Sequence, residues 1–293
     1  MDNLPTKYLS EHYKIDPPLP IGKGSQGLVF LSTDKEGQEL IIKELNIKRP
    51  THIDSLLNEV ENLKKISYKP CHKNIVCYKD VFRDPTDDKI YLVLDYYPGE
   101  TLDKFGKHLE KDDHYFDILL GVLVNLLQAL EYVHSKDIVH GDIKLENIQV
   151  VLRDAVDIGN GETLVSTQII PVLIDFGLSC TLEESSTSCK KIAGTPNYLS
   201  PEIYRYTRKG GELIGLTKAS DIWALGITFY ALLNNGKIWP KKFKTLKDLG
   251  NYIISEKQQF DIDTPNLRLN NILNHMLVYD PKNRLTASEL LKL

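Results

Sequence analysis

Apolar and polar positions divide the chain into two stretches of different period. From Leu19 to Lys43 the apolar runs are short and bounded by turn formers: Leu28-Val29-Phe30-Leu31, then Asp34-Lys35-Glu36-Gly37, then Leu40-Ile41-Ile42-Lys43. Short runs rich in β-branched and aromatic residues read as strands. Leu56, Val60, Leu63 and Ile66 recur every three or four positions, which predicts a helix over 52–66. Two more strands are expected near 75–82 and 89–95, joined by the turn formers Asp84-Pro85-Thr86-Asp87-Asp88. The first twenty residues are polar, stop at Pro17-Pro18-Leu19-Pro20, and are expected to be an extended lead-in, with 1–14 outside the folded domain.

After Gly99 the period lengthens. Residues 115–134 read as a long buried helix. Residues 219–235 carry Trp223, Leu225, Ile227 and Phe229 and are apolar nearly all round, the pattern of a helix in the middle of a domain. Further helices are expected over 245–257, 266–278 and 286–292, and a surface hairpin or loop over 153–168 around Gly159-Asn160-Gly161. The expected architecture is α+β and bilobal. A small β-rich lobe with one main helix spans about 15–97, and a larger helical lobe spans about 98–293.

Composition narrows the partners. The chain has 293 residues, 42% hydrophobic and 26% charged, as in ordinary globular proteins. Its net charge of −4 lacks the basic excess of a nucleic-acid binder. Four cysteines, Cys71, Cys77, Cys180 and Cys189, are too few for a disulfide framework, and none has CxxC spacing. They are expected to be plain structural residues in a reducing, cytosolic compartment. The N-terminus has no apolar run of the signal-peptide kind. The stretch Ile118–Val133 is interrupted by Asn125, Gln128 and Glu131 and reads as too short and too polar to span a bilayer. No membrane or nucleic-acid partner is expected.

Four segments carry candidate chemistry. Gly22-Lys23-Gly24-Ser25-Gln26-Gly27 lies between strands, where glycines let a hairpin backbone approach phosphates. A following strand argues against the dinucleotide fingerprint, which opens a helix. Lys43 ends an apolar strand sixteen residues past Gly27. His140-Gly141-Asp142-Ile143-Lys144-Leu145-Glu146-Asn147 combines a potential base (Asp142), a cation for phosphate (Lys144) and an amide able to ligate a metal (Asn147). Ile174-Asp175-Phe176-Gly177 places a carboxylate after an apolar strand, and Mg²⁺ is held by one or two carboxylates plus substrate phosphates.

In this order these segments resemble the eukaryotic-type protein kinases, whose landmarks are a glycine-rich loop, a strand lysine, a helix glutamate, a catalytic loop, DFG and APE. The chain has Gly22–Val29, Lys43, Glu59, His140–Asn147, Asp175-Phe176-Gly177, Ser200-Pro201-Glu202, Asp221–Gly226 and a late Arg284. The resemblance covers about 15–293. It implies ATP and Mg²⁺ as cofactors and Ser or Thr hydroxyls of protein substrates as acceptors. Lys43 would pair with Glu59, rather than Glu61, and reach the α/β-phosphates. Asp142 would accept the hydroxyl proton and Lys144 would neutralise the γ-phosphate. Asn147 and Asp175 would hold Mg²⁺. Ile21, Gly22, Gly24, Gly27 and Val29 would cover the nucleotide, while Asp95 and Tyr97, after a gatekeeper Leu94, would offer backbone groups to adenine. Glu202 with Arg284 resembles the family's buried structural pair. Leu63, Tyr78, His140 and Phe176 resemble its stacked column.

The departures carry information. Gly141 stands where many members have the Arg that receives an activation-loop phosphate, which puts control through Ser185, Ser186, Thr187 or Ser188 in doubt. Leu145 replaces Pro, Ser200 replaces Ala, and 153–168 and 207–217, with Gly210-Gly211, look like insertions. Ile41 and Gln149 stand where the family has small and apolar residues around adenine, an expectation of weak ATP affinity. Glu146 stands where basophilic members contact an arginine, but Ala231 lacks the second acidic contact. A kinase-like scaffold and a small-molecule phosphotransferase are the alternative readings. The scaffold usually lacks the lysine, base or metal ligand; the phosphotransferase lacks a segment like Gly194–Glu202.

Overall fold

The computed structural model describes residues 4–23, 27–45, 50–159, 162–184, 186–189, 191–209, 215–255 and 259–293, with side chains except at 50–54, 155–166 and 206–209. Gly24, Ser185, Gly210 and Gly211 lie outside the described residues. The chain separates into two compact units, one up to His72 and over Val76–Pro98, the other over Lys73–Ile75 and Gly99–Leu293.

The first unit is an antiparallel sheet with one main helix, Pro50–Ile66. The strand order is Tyr13–Ile15, Gly27–Asp34, Glu39–Leu45, Lys89–Asp95, Tyr78–Asp84, and Gly22–Lys23 pairs with the start of the second. Ile42, Phe82 and Val93 are fully buried on one face of the sheet and Ile90 and Leu92 on the other, so both faces are covered. The helix buries Leu56, Val60, Leu63 and Ile66, the four positions whose spacing predicted it. Gly27 is a steric requirement: a Cβ there would lie 1.7 Å from the Glu44 carbonyl oxygen.

Residues 4–14 are not the extended lead-in that the polar pattern suggested. Leu9–His12 is a helical turn, and Tyr13–Ile15 pairs with Ser32–Asp34. Asp84 accepts from the Leu9 N–H at 2.6 Å, and Tyr13 stacks on Phe82 at 5.7 Å. The half-buried Tyr13 stacked on the buried Phe82, and the Asp84 carboxylate, hold a segment too short to show a period of its own.

The second unit is helical. Lys218–Leu233 is buried from Ser220 to Leu232, as its all-round apolar pattern required, and starts at a Thr217–Ser220 capping box. Tyr115–Ser135, Leu246–Ile254, Leu267–Met276 and Ala287–Leu290 take up the other expected helical segments, while Leu102–His108 and Pro201–Lys209 have no counterpart in the sequence reading. At 21 residues and a mean hydropathy of 1.6, Tyr115–Ser135 is long and apolar enough to cross a membrane by length and composition, contrary to the expectation for its core. Here it packs Leu119, Leu123, Leu126, Leu127 and Leu130 wholly inside the unit. The expected hairpin is long, Ile148–Gly159 against Glu162–Leu173, and its root strand also pairs with Glu100–Thr101. At the root Ile148, Val172 and Leu173 are fully buried, whereas Leu152 is 57% exposed. The root is core and the insertion grows outward from it.

The cysteines overturn their expectation. Cys71 bonds to Cys77 and Cys180 to Cys189 as disulfides, with Cα separations of 5.9 and 6.4 Å. Chain reversals close both pairs, so the missing CxxC spacing was no guide. The argument for a reducing compartment rested on unpaired cysteines and loses that support.

Candidate active site

In the helical unit, the short strand Ile138–Val139 pairs with Cys180–Thr181 and delivers the chain to His140–Asn147. Asp142 is 9% exposed and its two oxygens accept four hydrogen bonds. Lys144 Nζ at 2.7 Å and Asn147 Nδ2 at 3.0 Å donate to Oδ2; the Thr195 N–H at 2.8 Å and hydroxyl at 2.7 Å donate to Oδ1. That is about the capacity of a carboxylate. Lys144 also donates to Thr195 Oγ1 at 2.8 Å, closing a triangle of carboxylate, ammonium and hydroxyl.

Asp221, at the start of the buried helix, braces the loop. Its carboxylate accepts from the backbone N–H of His140 at 2.8 Å and of Gly141 at 2.9 Å, and His134 Nε2 lies 2.9 Å away. Neither Thr195 nor Asp221 was assigned a contact by sequence reasoning. They lie 53 and about 80 positions from their partners, and no spacing rule reaches that far.

His140 Nε2 faces the Ile174 carbonyl at 3.2 Å and Nδ1 faces the Asp142 N–H at 3.3 Å, which assigns the hydrogen to Nε2. The ring packs on Phe176 at 4.6 Å. The histidine is a packed core residue that ties the Asp142 loop to the Asp175 segment. A second tie is the Ile174 N–H, donating to the Asn147 carbonyl at 3.0 Å, one residue before Asp175. Asp175 has φ +63°, a conformation uncommon outside glycine.

The donor set fits magnesium, a hard cation that takes oxygen ligands. Asn147 Nδ2 donates to the Asp142 carbonyl at 2.8 Å as well as to its carboxylate, so its amide oxygen is the atom left for a cation. Among the described residues no group of three or more His, Cys, Asp or Glu side chains could hold a metal.

Gly141 has φ +79°, and a Cβ there would lie 2.8 Å from the Leu178 carbonyl oxygen and 2.7 Å from Leu216 Cδ1. A side chain there would be strained by the positive φ and would force the Leu178 backbone or the Leu216 side chain to move.

In the sheet unit, Lys43 pairs in the ladder with Val29 and Leu92. Its Nζ lies 3.2 Å from Glu59 Oε1, and the Glu59 side chain is fully buried. Glu61 is exposed, so the helix presents Glu59 to the strand. Ile21 donates its N–H to the Val29 carbonyl at 2.8 Å, and Gly22 stands opposite Val29. Leu94 is buried. Asp95 gives its N–H to the Cys77 carbonyl and its carboxylate to Lys79 and Gln38. Tyr97 is half-buried.

Two further features hold the helical unit. Arg284 donates to both Glu202 oxygens, at 2.9 and 3.2 Å, with its side chain fully buried, so the expected structural pair is formed. The Tyr204 hydroxyl donates to the Pro196 carbonyl at 2.8 Å, and burial pushes its phenol up to about 12, so the donor keeps its hydrogen.

The family model for the protein kinase domain matches residues 18–293. The chain is 28% identical over 280 residues to serine/threonine-protein kinase PAK mbt of Drosophila melanogaster, covering 92% of this chain and 38% of that one. It is 30% identical over 286 residues to calcium-dependent protein kinase 4 of Plasmodium falciparum, with 93% and 47% covered. Over 297 residues it is 29% identical to mitogen-activated protein kinase kinase kinase 2 of Arabidopsis thaliana, with 95% and 41% covered. The chain thus spans less than half the length of each of these three relatives. A match running from residue 18 past Arg284, over residues that form the Asp142 loop, the Lys43–Glu59 pair and the Glu202–Arg284 pair, places this chain in the protein kinase family.

Proposed function

We propose that the chain transfers the γ-phosphoryl group of ATP to Ser and Thr hydroxyls of protein substrates. The observation that carries this reading is the triangle of Asp142, Lys144 and Thr195. Asp142 accepts the proton of the incoming hydroxyl as its oxygen bonds to the γ-phosphorus and the bond to ADP breaks. Because the carboxylate already accepts four bonds, the hydroxyl must displace one, and the Thr195 hydroxyl can rotate away at least cost. Lys144, 2.7 Å from the base, is placed to neutralise the transferring group. Lys43, oriented by Glu59, takes the α/β-phosphates. Ile21, Gly22, Gly24, Gly27 and Val29 cover the nucleotide. The Asp95 N–H is already engaged, which limits Asp95 to its carbonyl in holding adenine. Asn147 Oδ1 and Asp175 would hold magnesium, which when bound neutralises charge on the β- and γ-phosphate oxygens.

Every residue whose loss marks a scaffold is present, and the Gly194–Glu202 segment meets the base through Thr195. Both favour a protein kinase over the alternatives. The substrates are proteins; nucleic acid and membranes are not partners in this reading. The test is transfer of labelled γ-phosphate from Mg·ATP to a generic protein substrate, followed by phosphoamino-acid analysis. Phosphoserine and phosphothreonine are expected. A product that is mostly phosphotyrosine, or no transfer above an Asp142→Asn control, overturns the reading.

A further inference from the structure

Residues 237–247, Lys237-Ile238-Trp239-Pro240-Lys241-Lys242-Phe243-Lys244-Thr245-Leu246-Lys247, hold five lysines and no acidic residue in a chain of net charge −4. They line most of a groove of about 870 Å³ in the helical unit. Lys237, Lys241, Lys242 and Lys244 are exposed on it, and none is within ion-pair distance of a carboxylate among the described residues. Trp239 and Phe243 are half-buried beneath them and anchored against Tyr252, at ring separations of 6.2 and 5.1 Å. Pro196 and Asn197 close the groove, and the residue before them is Thr195, whose hydroxyl touches Asp142.

A run of lysines is ordinarily a solvated face. Three observations set this one apart. Four like charges with no carboxylate in ion-pair distance among the described residues form a positive patch that favours an anionic partner, and Lys241 Nζ lies 5.5 Å over the Phe243 ring. They line a groove together with the half-buried aromatic rings of Trp239 and Phe243, not a convex helix face. The concavity begins one residue from the group that binds the base, so a polypeptide with its hydroxyl at Asp142 would have its flank in the groove.

We propose that this groove docks an acidic flank of the protein substrate, with aspartate or glutamate side chains on Lys237, Lys241, Lys242 and Lys244 and the intervening chain over Trp239 and Phe243. This rests on the kinase reading and names the substrate class for it. It runs opposite to the basic preference that Glu146 alone would suggest.

The test uses three peptides with one common serine core and flanks rich in Glu, Gln or Lys. They are compared in kcat/KM and, separately, in direct binding of the labelled peptides by fluorescence anisotropy. An exposed ion pair contributes modestly, so three or four together should favour the Glu-flanked peptide by about tenfold. The preference should reside in KM and shrink as salt rises, because exposed charges are screened within about 8 Å at physiological ionic strength. The triple variant Lys241→Gln/Lys242→Gln/Lys244→Gln should lose it, and Lys→Arg at the same positions should keep it. Equal use or binding of the three peptides by the unmodified protein, or an acidic preference that survives the Gln variant, overturns the proposal. Tighter binding of a single-stranded RNA oligonucleotide than of the Glu-flanked peptide overturns it too. Binding of the Glu-flanked peptide without turnover of any peptide would uphold the groove and overturn the kinase reading, so the two fail separately.

Discussion

The loop around Asp142 and the pair Lys43–Glu59 are built on opposite principles. The loop is cross-braced: Asp142 accepts four hydrogen bonds, Asp221 holds two backbone N–H groups, and His140 ties the loop to Ile174. The pair has a 3.2 Å contact between a strand and a helix, and the second Glu59 oxygen is buried without a partner among the described residues. A braced loop holds its geometry before any ligand arrives, which is the condition for electrostatic preorganisation. A buried carboxylate with half its capacity unused gains from each further cation or donor brought to it. The first arrangement suits a group that must hold a proton acceptor in place. The second suits one completed by a ligand.

The sharpest way to break this contrast is to remove charge on each side. Asp142→Asn removes the proton acceptor, and a general base is worth about 10²–10⁴-fold, so kcat should fall by at least that range in the phosphoryl-transfer assay. Tm should also fall, but by less than in Lys43→Met, because Asn keeps an acceptor oxygen for Thr195 while turning a donor toward Lys144 and Asn147, at a cost of about 1–3 kcal/mol. Lys43→Met should lower kcat/KM by a comparable factor. It should also lower Tm, because removing one partner of a buried pair leaves an uncompensated charge, at a cost of about 3–5 kcal/mol. A Tm unchanged in Lys43→Met and lowered in Asp142→Asn would invert the contrast.

Bracing is tested one layer out. Asp221→Asn turns one of two acceptor oxygens toward backbone N–H groups into a donor. We expect a stability loss of about 1–3 kcal/mol, the cost of leaving a buried polar group unsatisfied. We also expect kcat to fall by about 10-fold or more as the loop loosens. Full activity with lowered stability would confine Asp221 to a structural role.

Gly141 sharpens the same point. Its positive φ and the Leu178 carbonyl 2.8 Å from a would-be Cβ mean that Gly141→Arg cannot restore a phosphate-receiving arginine in this backbone. Such strain costs about 1–3 kcal/mol. A lower Tm and no gain of phosphate-dependent activity are expected, while phosphatase-treated unmodified protein stays active. A 100-fold loss upon dephosphorylation would refute this.

Two smaller effects belong to the sheet unit. Ile41, opposite Leu94 in the ladder, occupies a position where the family has a small residue. Relief of overpacking is worth about 1–3 kcal/mol, so Ile41→Ala should lower the ATP KM by roughly three- to thirtyfold with kcat little changed. An unchanged KM would show that Ile41 does not crowd the nucleotide. Asp84 anchors residues 9–15. Burial pushes its carboxyl up, but the Thr86 hydroxyl and the N–H groups of Leu9 and Thr86 outweigh this and hold it below its ordinary value. A lowered folded-state value means that the stabilisation is present above the unfolded value of about 3.9 and is lost as pH falls below it. Asp84→Asn should therefore cost about 1 kcal/mol at pH 7, and the gap in Tm should close toward pH 3. A gap that widens in acid would refute the assignment.

Much of the site was legible in the sequence because its chemistry is local. Asp142, Lys144 and Asn147 lie within six residues of one another, and Asp175 is marked by the apolar run before it. Glu59 was preferred to Glu61 because Leu63 and Ile66 then fall at the helix spacing of the family it resembles, and burial agrees. The residues that hold these groups in place were not legible. Thr195 and Asp221 reach Asp142 and its loop across 53 and about 80 positions, and a hydroxyl or carboxylate looks the same in sequence whether it braces a loop or faces water.

Periodicity determined the principal helices of this protein: four positions marked the main helix of the sheet unit, and an unbroken apolar face made Lys218–Leu233 the centre of the other unit. Those outcomes follow from burial, which depends on each residue's own side chain and its near neighbours. Tertiary structure alone decided that residues 13–15 join the sheet, that the cysteines pair, that a side chain at position 141 would be crowded and strained, and that four lysines line a groove beginning beside Thr195. Each of those depends on distances between segments far apart in the chain, and such distances are set only when the whole core has packed.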